Sequence, residues 1–252
     1  MKQYTQAPLP FQGQKRKFLN YFKEALHDFS PTATYIDLFG GSGLLSHTVK
    51  QMFPEARVLY NDFDNYSERL DNIDKTNALL GDIRTICAQN PHRKERLNQE
   101  HSDQIISRIS KEKGFVDWVT ISSSILFSMN YATSFDQLKK EKFYNKVKMT
   151  DYNADGYLEG VEIVKSDYRD LFAKFKNERN VVFLVDPPYL STDTSTYSKE
   201  SYWRLSDYLN VLKVIEDTST LLQTKAKSLS FVIGWRQMRT QEIPLKVLLP
   251  KR

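Results

Sequence analysis

The sequence predicts an α/β fold, a mostly parallel sheet with helices on both faces, interrupted by a largely helical insertion. Three observations carry this reading. Short apolar runs rich in β-branched and aromatic residues alternate with stretches of helical period. A glycine cluster sits between the first such run and the helical pattern after it, and the alternation stops near residue 90 and resumes near 160. A length of 252 residues suits one large domain or one domain carrying an insertion.

Phe18, Leu19, Phe22 and Leu26 recur at helical spacing over 14–29, so a basic N-terminal stretch leads into an amphipathic helix that Pro31 closes. TYIDLF at 34–39 reads as a buried strand and GGSG at 40–43 as a tight turn. Leu44, Leu45, Val49 and Met52 then mark a helix. RVLYN at 57–61 is a second strand, and Tyr66, Leu70, Ile73, Asn77 and Leu80 continue as one helix from Asp64 onward. The next region holds helices at about 104–111 and 115–129, then a polar, aromatic and basic stretch at 130–157. The α/β rhythm returns with a strand at 161–164, a short helix at 170–175 and the strongly apolar strand VVFLV at 181–185. A helix at about 205–218 and a fifth strand at 229–234 follow. The chain thus divides into 1–82, an insertion at 83–160, and 161–252.

Lys and Arg number 36 against 31 Asp and Glu, for a net charge of +5, and the pI is about 9.0. From 83 to 150 there are twelve Lys/Arg against seven Asp/Glu, which is the whole excess and points to a phosphate-bearing partner at the insertion. A mean hydropathy of −0.54 and no long apolar run argue against a membrane span. The N-terminus lacks a signal-peptide pattern and the single cysteine cannot form an internal disulfide, so a cytoplasmic protein is expected. His27, His47, His92 and His101 lack ligand spacing, so no metal site is expected.

Three clusters could carry chemistry. DLFGGSG at 37–43 lets backbone approach a nucleotide-like cofactor and presents helix N-terminal amides, although the same turn serves plain architecture. Ser46 stands where a dinucleotide fingerprint has its third small residue. Asp62, at the end of the second strand, is placed to accept ribose hydroxyls, with Asp64 as the helix cap. DPPY at 186–189 puts an acid directly off the carboxyl end of a buried strand, followed by a rigid turn. Cys87 lies at helical spacing with Ile83 and Leu80, as a core residue rather than a nucleophile.

Taken in order, FQGQK at 11–15, the glycine turn, Asp62, Ser166-Asp167-Tyr168 and DPPY make the chain resemble a Dam-type (D12 class) adenine-N6 DNA methyltransferase with the alpha order of motifs, over about residues 8–217. The resemblance implies a Rossmann-like S-adenosylmethionine methyltransferase fold and that cofactor as methyl donor. It places Phe11 near the donor, Lys15 on the methionine carboxylate, and Asp37, Phe39, Gly41 and Gly43 in the donor's glycine loop. Asp62 falls on the ribose acid, and Asp167 with Tyr168 on the pair that holds the adenine. Asp186, Pro187, Pro188 and Tyr189 form the catalytic tetrapeptide. The insertion recognises double-stranded DNA in the family, with Tyr144, Asn145 and Lys146 falling where base or flanking contacts are expected. A monomer or weak dimer is expected.

Cytosine-N4 methylation shares this chemistry, and a DNA-binding protein of the same fold with little or no turnover is the second reading. Methylation at carbon-5 would need a thiolate nucleophile, which Cys87 does not suit. The 18 residues after Gly234 leave no room for the helix and two-strand hairpin that close the family's sheet, so that edge is expected to be incomplete.

Overall fold

The computed structural model describes residues 2–11, 15–90, 92–127, 130–187, 207, 209–211 and 226–230, with backbone alone for 17 and 226–230. Its centre is a parallel sheet of five strands: β1 (Thr34–Asp37), β2 (Arg57–Asn61), β3 (Glu162–Val164), β4 (Val181–Val185) and β5 (Ala226–Ser230). The order across the sheet is β3-β2-β1-β4-β5, so the chain moves outward from β1 on one side and then returns to its other side. That reversal lies between β1 and β4. In open parallel sheets the crevice at such a reversal, beyond the carboxyl ends of the strands, is where ligands bind.

Both faces of the sheet are covered, which explains why β4 is apolar without alternation. On one face Tyr35, Val58, Val182 and Leu184 pack against Phe22 and Leu26 of α1 (Leu19–Leu26) and Leu45 and Val49 of α2 (Leu44–Met52). On the other, Ile36, Leu59, Val181, Phe183 and Val185 meet Leu171, Phe172 and Phe175 of α8 (Tyr168–Phe175). Phe183 is fully buried with its ring 5.0 Å from that of Phe172, and burial of such a side chain contributes roughly 2–3 kcal/mol.

The predicted helix at 14–29 is shorter. A 3-10 turn spans Arg16–Phe18, α1 ends at Leu26, and Phe29 N–H bonds back to the Leu26 carbonyl in a tight turn. The single helix expected from Asp64 is two, α3 (Tyr66–Asp71) and α4 (Ile73–Ala88). The break is at Asn72, whose backbone is non-helical (φ −102, ψ 20) and whose side-chain amide joins its own N–H on the Glu68 carbonyl (2.8 and 3.2 Å). The fifth strand begins three residues earlier than expected; most of the 205–218 helix and everything after 230 lie outside the described residues.

The insertion has its own core. Leu79, Leu80, Ile83 and Cys87 of α4 pack with Ile105 and Ile109 of α5 (Gln99–Ile109), Ile121 and Ile125 of α6 (Trp118–Ile125), Leu138 of α7 (Phe135–Leu138), Phe143 and Val147. Residues 82 and 83 lie within α4, which contributes Leu79, Leu80, Ile83 and Cys87 to this core. Among the described residues no helix is long and apolar enough to cross a membrane.

Candidate active site

Asp37 and Asp186 stand at the reversal point. Asp37 pairs in register with Leu184, and Asp186 follows two residues later, just past the end of β4. Lys15 reaches in from the N-terminal segment and its Nζ lies 2.9 Å from Asp186 Oδ2, with side chains only 11% and 9% exposed. Burial raises the Asp186 carboxyl above its ordinary range, and the Lys15 ammonium opposes that shift. Asp186 Oδ1 is buried with no hydrogen-bond partner among the described residues.

Asp37 is 1% exposed. Its Oδ2 accepts from Ser46 Oγ (2.8 Å), which gives Ser46 a role that a dinucleotide fingerprint does not foresee. Oδ1 lacks a hydrogen bond of ordinary geometry among the described residues, the nearby Phe39 N–H only moderating the acid. Desolvation pushes the Asp37 carboxyl up to about 7, with the Ser46 hydroxyl opposing it and the charge of Asp186 adding to it.

The glycine turn is shaped by Tyr60 beneath it. A Cβ on Gly40 would lie 2.2 Å from the Tyr60 ring and 2.9 Å from the Asn61 carbonyl, so only glycine fits. Gly41 has φ +51 and carries the Phe11 ring over it, 3.2 Å from where its Cβ would be. Gly43, at the start of α2, is also left-handed. The Tyr60 hydroxyl lies 2.7 Å from the Gly41 carbonyl and 3.0 Å from Asp62 Oδ1 and shares its one proton between them. Sequence reasoning does not single out Gly40 and Tyr60. The signal is the first small residue of the run 40–43, three positions past β1, with a bulky ring one strand away, legible only once the strands are paired.

Asp62 caps α3. Its Oδ1 accepts from Tyr66 N (2.6 Å), and its Oδ2 from Ser67 N (2.9 Å) and from the Ser67 hydroxyl. With Tyr60 this occupies the four acceptor positions of a carboxylate, so a ribose hydroxyl would have to displace one of them. The cap expected of Asp64 belongs to Asp62, whose side chain is turned inward while Asp64 is exposed. Asn61 binds the Leu38 and Ser166 carbonyls and the Ser166 N–H, all at 3.0 Å, and so ties the ends of β1 and β3 together.

Phe39 and Tyr168 meet, with ring centroids 4.9 Å apart. Asp167 caps α8 through the Arg169 N–H (2.8 Å) and forks with the Arg169 guanidinium (2.9 and 2.6 Å), which holds its carboxyl below the ordinary range. Pro187 is buried; Pro188 and Tyr189 lie outside the described residues.

Of the trio expected on DNA, Asn145 is buried while Tyr144 and Lys146 are partly exposed. Asn145 is 2% exposed and its amide nitrogen reaches the carbonyls of Cys87 (3.1 Å), Asn90 and His92 (3.3 Å each), so it is a buried pin of the insertion and cannot touch a base edge. Lys146 Nζ is held by the Leu126 carbonyl (3.1 Å), and Tyr144 packs half-buried against the exposed ring of Phe127, 5.6 Å between centroids. Other cations without an acidic partner among the described residues lie beside the acids Glu95 and Glu141. Arg96, Lys140 and Lys142 line a cleft of about 850 Å³ between the start of α5 and the segment after α7.

Comparison with known proteins supplies the family. Residues 11–227 match the model of the D12 class N6 adenine-specific DNA methyltransferase family. A protein of Haemophilus influenzae named "Putative methyltransferase" is 39% identical over 218 residues, which cover 84% of this chain and 74% of that protein. A match over most of the chain, on a parallel sheet with an acid just past β4, means that the chain belongs to the D12 class N6 adenine-specific DNA methyltransferase family.

Proposed function

We propose that this protein transfers a methyl group from S-adenosylmethionine to the exocyclic N6 of an adenine turned out of double-stranded DNA. The observation that carries the reading is the buried Asp186 at the sheet's reversal point, with Oδ2 held by Lys15 and Oδ1 left as an unused acceptor among the described residues.

The residues present suit the donor. Two carboxylates, Asp37 and Asp186, share the buried site with the single ammonium of Lys15 among the described residues, so a ligand that brings a positive charge is favoured. The Phe11 ring over Gly41 and the Phe39–Tyr168 pair offer flat apolar walls beside the turn. An ammonium has three N–H donors, so Lys15 can take the donor's carboxylate without leaving Asp186. When bound, S-adenosylmethionine supplies a methyl group activated by its sulfonium.

An exocyclic amine is a weak nucleophile because its lone pair is delocalised into the ring. Asp186 Oδ1 accepts one N–H and the Pro187 carbonyl the other, which favours a pyramidal nitrogen with its lone pair free. Transfer of the methyl group to that nitrogen would leave the bond's electron pair on the donor's sulfur, and Asp186 would receive the proton the nitrogen loses. Preorganised charge and positioning supply the acceleration without a covalent enzyme intermediate. Extrusion of the base is required because the duplex shields the amine. The DNA backbone is proposed to cross the cleft of Arg96, Lys140 and Lys142, with affinity falling steeply with salt.

Incubating the protein with isotopically labelled donor and DNA, then digesting to nucleosides, tests the reading. Label in N6-methyladenosine is expected. Label in N4-methylcytidine, or binding of DNA without transfer, would overturn it.

A further inference from the structure

Arg69 of α3 is the polar joint between the insertion and the N-terminal segment that carries Phe11 and Lys15. Its side chain is 11% exposed. Nε donates to Asp117 Oδ1 (3.0 Å), while Nη2 donates to the Pro10 carbonyl (2.7 Å) and to Thr120 Oγ1 (3.1 Å). Asp117, 1% exposed in its side chain, is the cap of α6: it accepts from the Thr120 N–H (3.0 Å) and the Thr120 hydroxyl (2.6 Å). Ile121 and Ile125 of the same helix lie in the insertion's core. One guanidinium therefore touches the insertion's framework with one edge and the backbone one residue before Phe11 with another.

The neighbouring contacts extend the joint to the glycine turn. Tyr66, one helical turn before Arg69, accepts from the Leu9 N–H (3.0 Å) and lies 3.3 Å from the Leu9 carbonyl. Its ring meets the Phe11 ring edge-on at 5.6 Å, and the Arg69 guanidinium carbon is 5.1 Å from its centroid. Phe11 in turn covers Gly41. A physical chain runs from α6 through Asp117, Arg69, Pro10 and Phe11 to the turn at the end of β1. Buried ion pairs add little net stability over apolar packing, because desolvation offsets the attraction. Stability alone gives no reason for the pair, whereas a fork that fixes two separately built parts at a set distance does.

We propose that Arg69 is a positioning residue that holds Phe11 over the glycine turn and links donor affinity to DNA occupancy of the insertion. The linkage half rests on the donor reading above; the placement of residues 9–11 does not. Lysine in place of arginine can keep the charge beside Asp117 but has no fork to reach Pro10 and Thr120 together. Asp117→Asn keeps an acceptor for the Thr120 N–H and leaves Arg69 free to hold Pro10.

The experiment compares wild type, Arg69→Lys and Asp117→Asn by amide hydrogen exchange and by calorimetric titration with S-adenosylmethionine, with and without duplex DNA. In Arg69→Lys, exchange at the Leu9 and Phe11 amides, which flank Pro10, is expected to quicken about tenfold while β1 and β4 keep their protection, and donor affinity to fall about tenfold. Asp117→Asn is expected to keep donor affinity within about twofold in the absence of DNA but to lose the change that DNA produces in wild type. Arg69→Lys with wild-type exchange at 9–11 overturns the placement, and Asp117→Asn with wild-type response to DNA overturns the linkage. If wild type binds no donor, the donor reading and the linkage fail together, and exchange at 9–11 still decides the placement.

Discussion

The reversal point of the sheet and the insertion use charge in opposite ways. At the first, Lys15 and Asp186 are about nine-tenths buried and Asp37 is closed off entirely, so each charge is felt strongly by its neighbours and shifts their protonation. At the second, twelve Lys and Arg are spread over about seventy residues, most of them in solvent, and they act together at long range with little effect on one another. In the proposed reaction the few buried charges would set the chemistry and the many exposed ones the attraction of DNA. The two should therefore fail differently when altered.

The largest effect is expected from Asp186→Ala. Loss of the acceptor should lower single-turnover methyl transfer by at least about a thousandfold, with DNA affinity within about tenfold of wild type, measured by rapid quench and by filter binding. Equal losses in both would erase the distinction between the regions. Next is Gly40→Ala, whose methyl group would collide with the Tyr60 ring. Overpacking of this kind should cost about 2–3 kcal/mol in urea unfolding, together with most of the donor affinity.

Lys15→Met should move the pH profile. Without the ammonium the Asp186 carboxyl rises further, so the ionised acceptor is lost at higher pH and the acid limb of single-turnover transfer shifts to higher pH at saturating donor. A role confined to the donor's carboxylate would raise KM and leave the limb in place. The smallest effect belongs to the surface. Replacing Arg96, Lys140 and Lys142 together by Gln should weaken DNA binding several-fold and lower the salt slope by about one for each phosphate no longer neutralised, with kcat unchanged.

The sheet is legible in the sequence because its signals are local. β2 and β4 fall where RVLYN and VVFLV place them, and the glycine turn and α2 follow β1 as their residues require. The identity of the acid after β4 needs only its position on the strand. What local spacing cannot give is direction. Asp62 and Asp64 are two residues apart at the head of a helix, and only folding shows that Asp62 turns in to cap it. Asn145 sits in a polar run that reads as surface, yet its amide answers three carbonyls from 87, 90 and 92, residues more than fifty positions away. The same distance hides Arg69, an ordinary charged residue of a short helix until Asp117 and Pro10 arrive beside it.

The raised Asp37 carboxyl has a calorimetric consequence. Pushed up to about 7 by desolvation, the Asp37 carboxyl holds its proton far closer to neutral pH than an ordinary carboxylate does. A cationic ligand beside it favours the ionised form, so arrival of the proposed donor should expel a fraction of a proton into the buffer. The apparent heat of binding at pH 7 would then differ between phosphate and Tris in proportion to their ionisation heats, and the difference should vanish at pH 9, where the proton is already gone. Asp37→Asn should abolish it at every pH. Occupancy of the site would thus be readable from outside as an exchange of protons with the solvent, through an acid that is itself closed off from it.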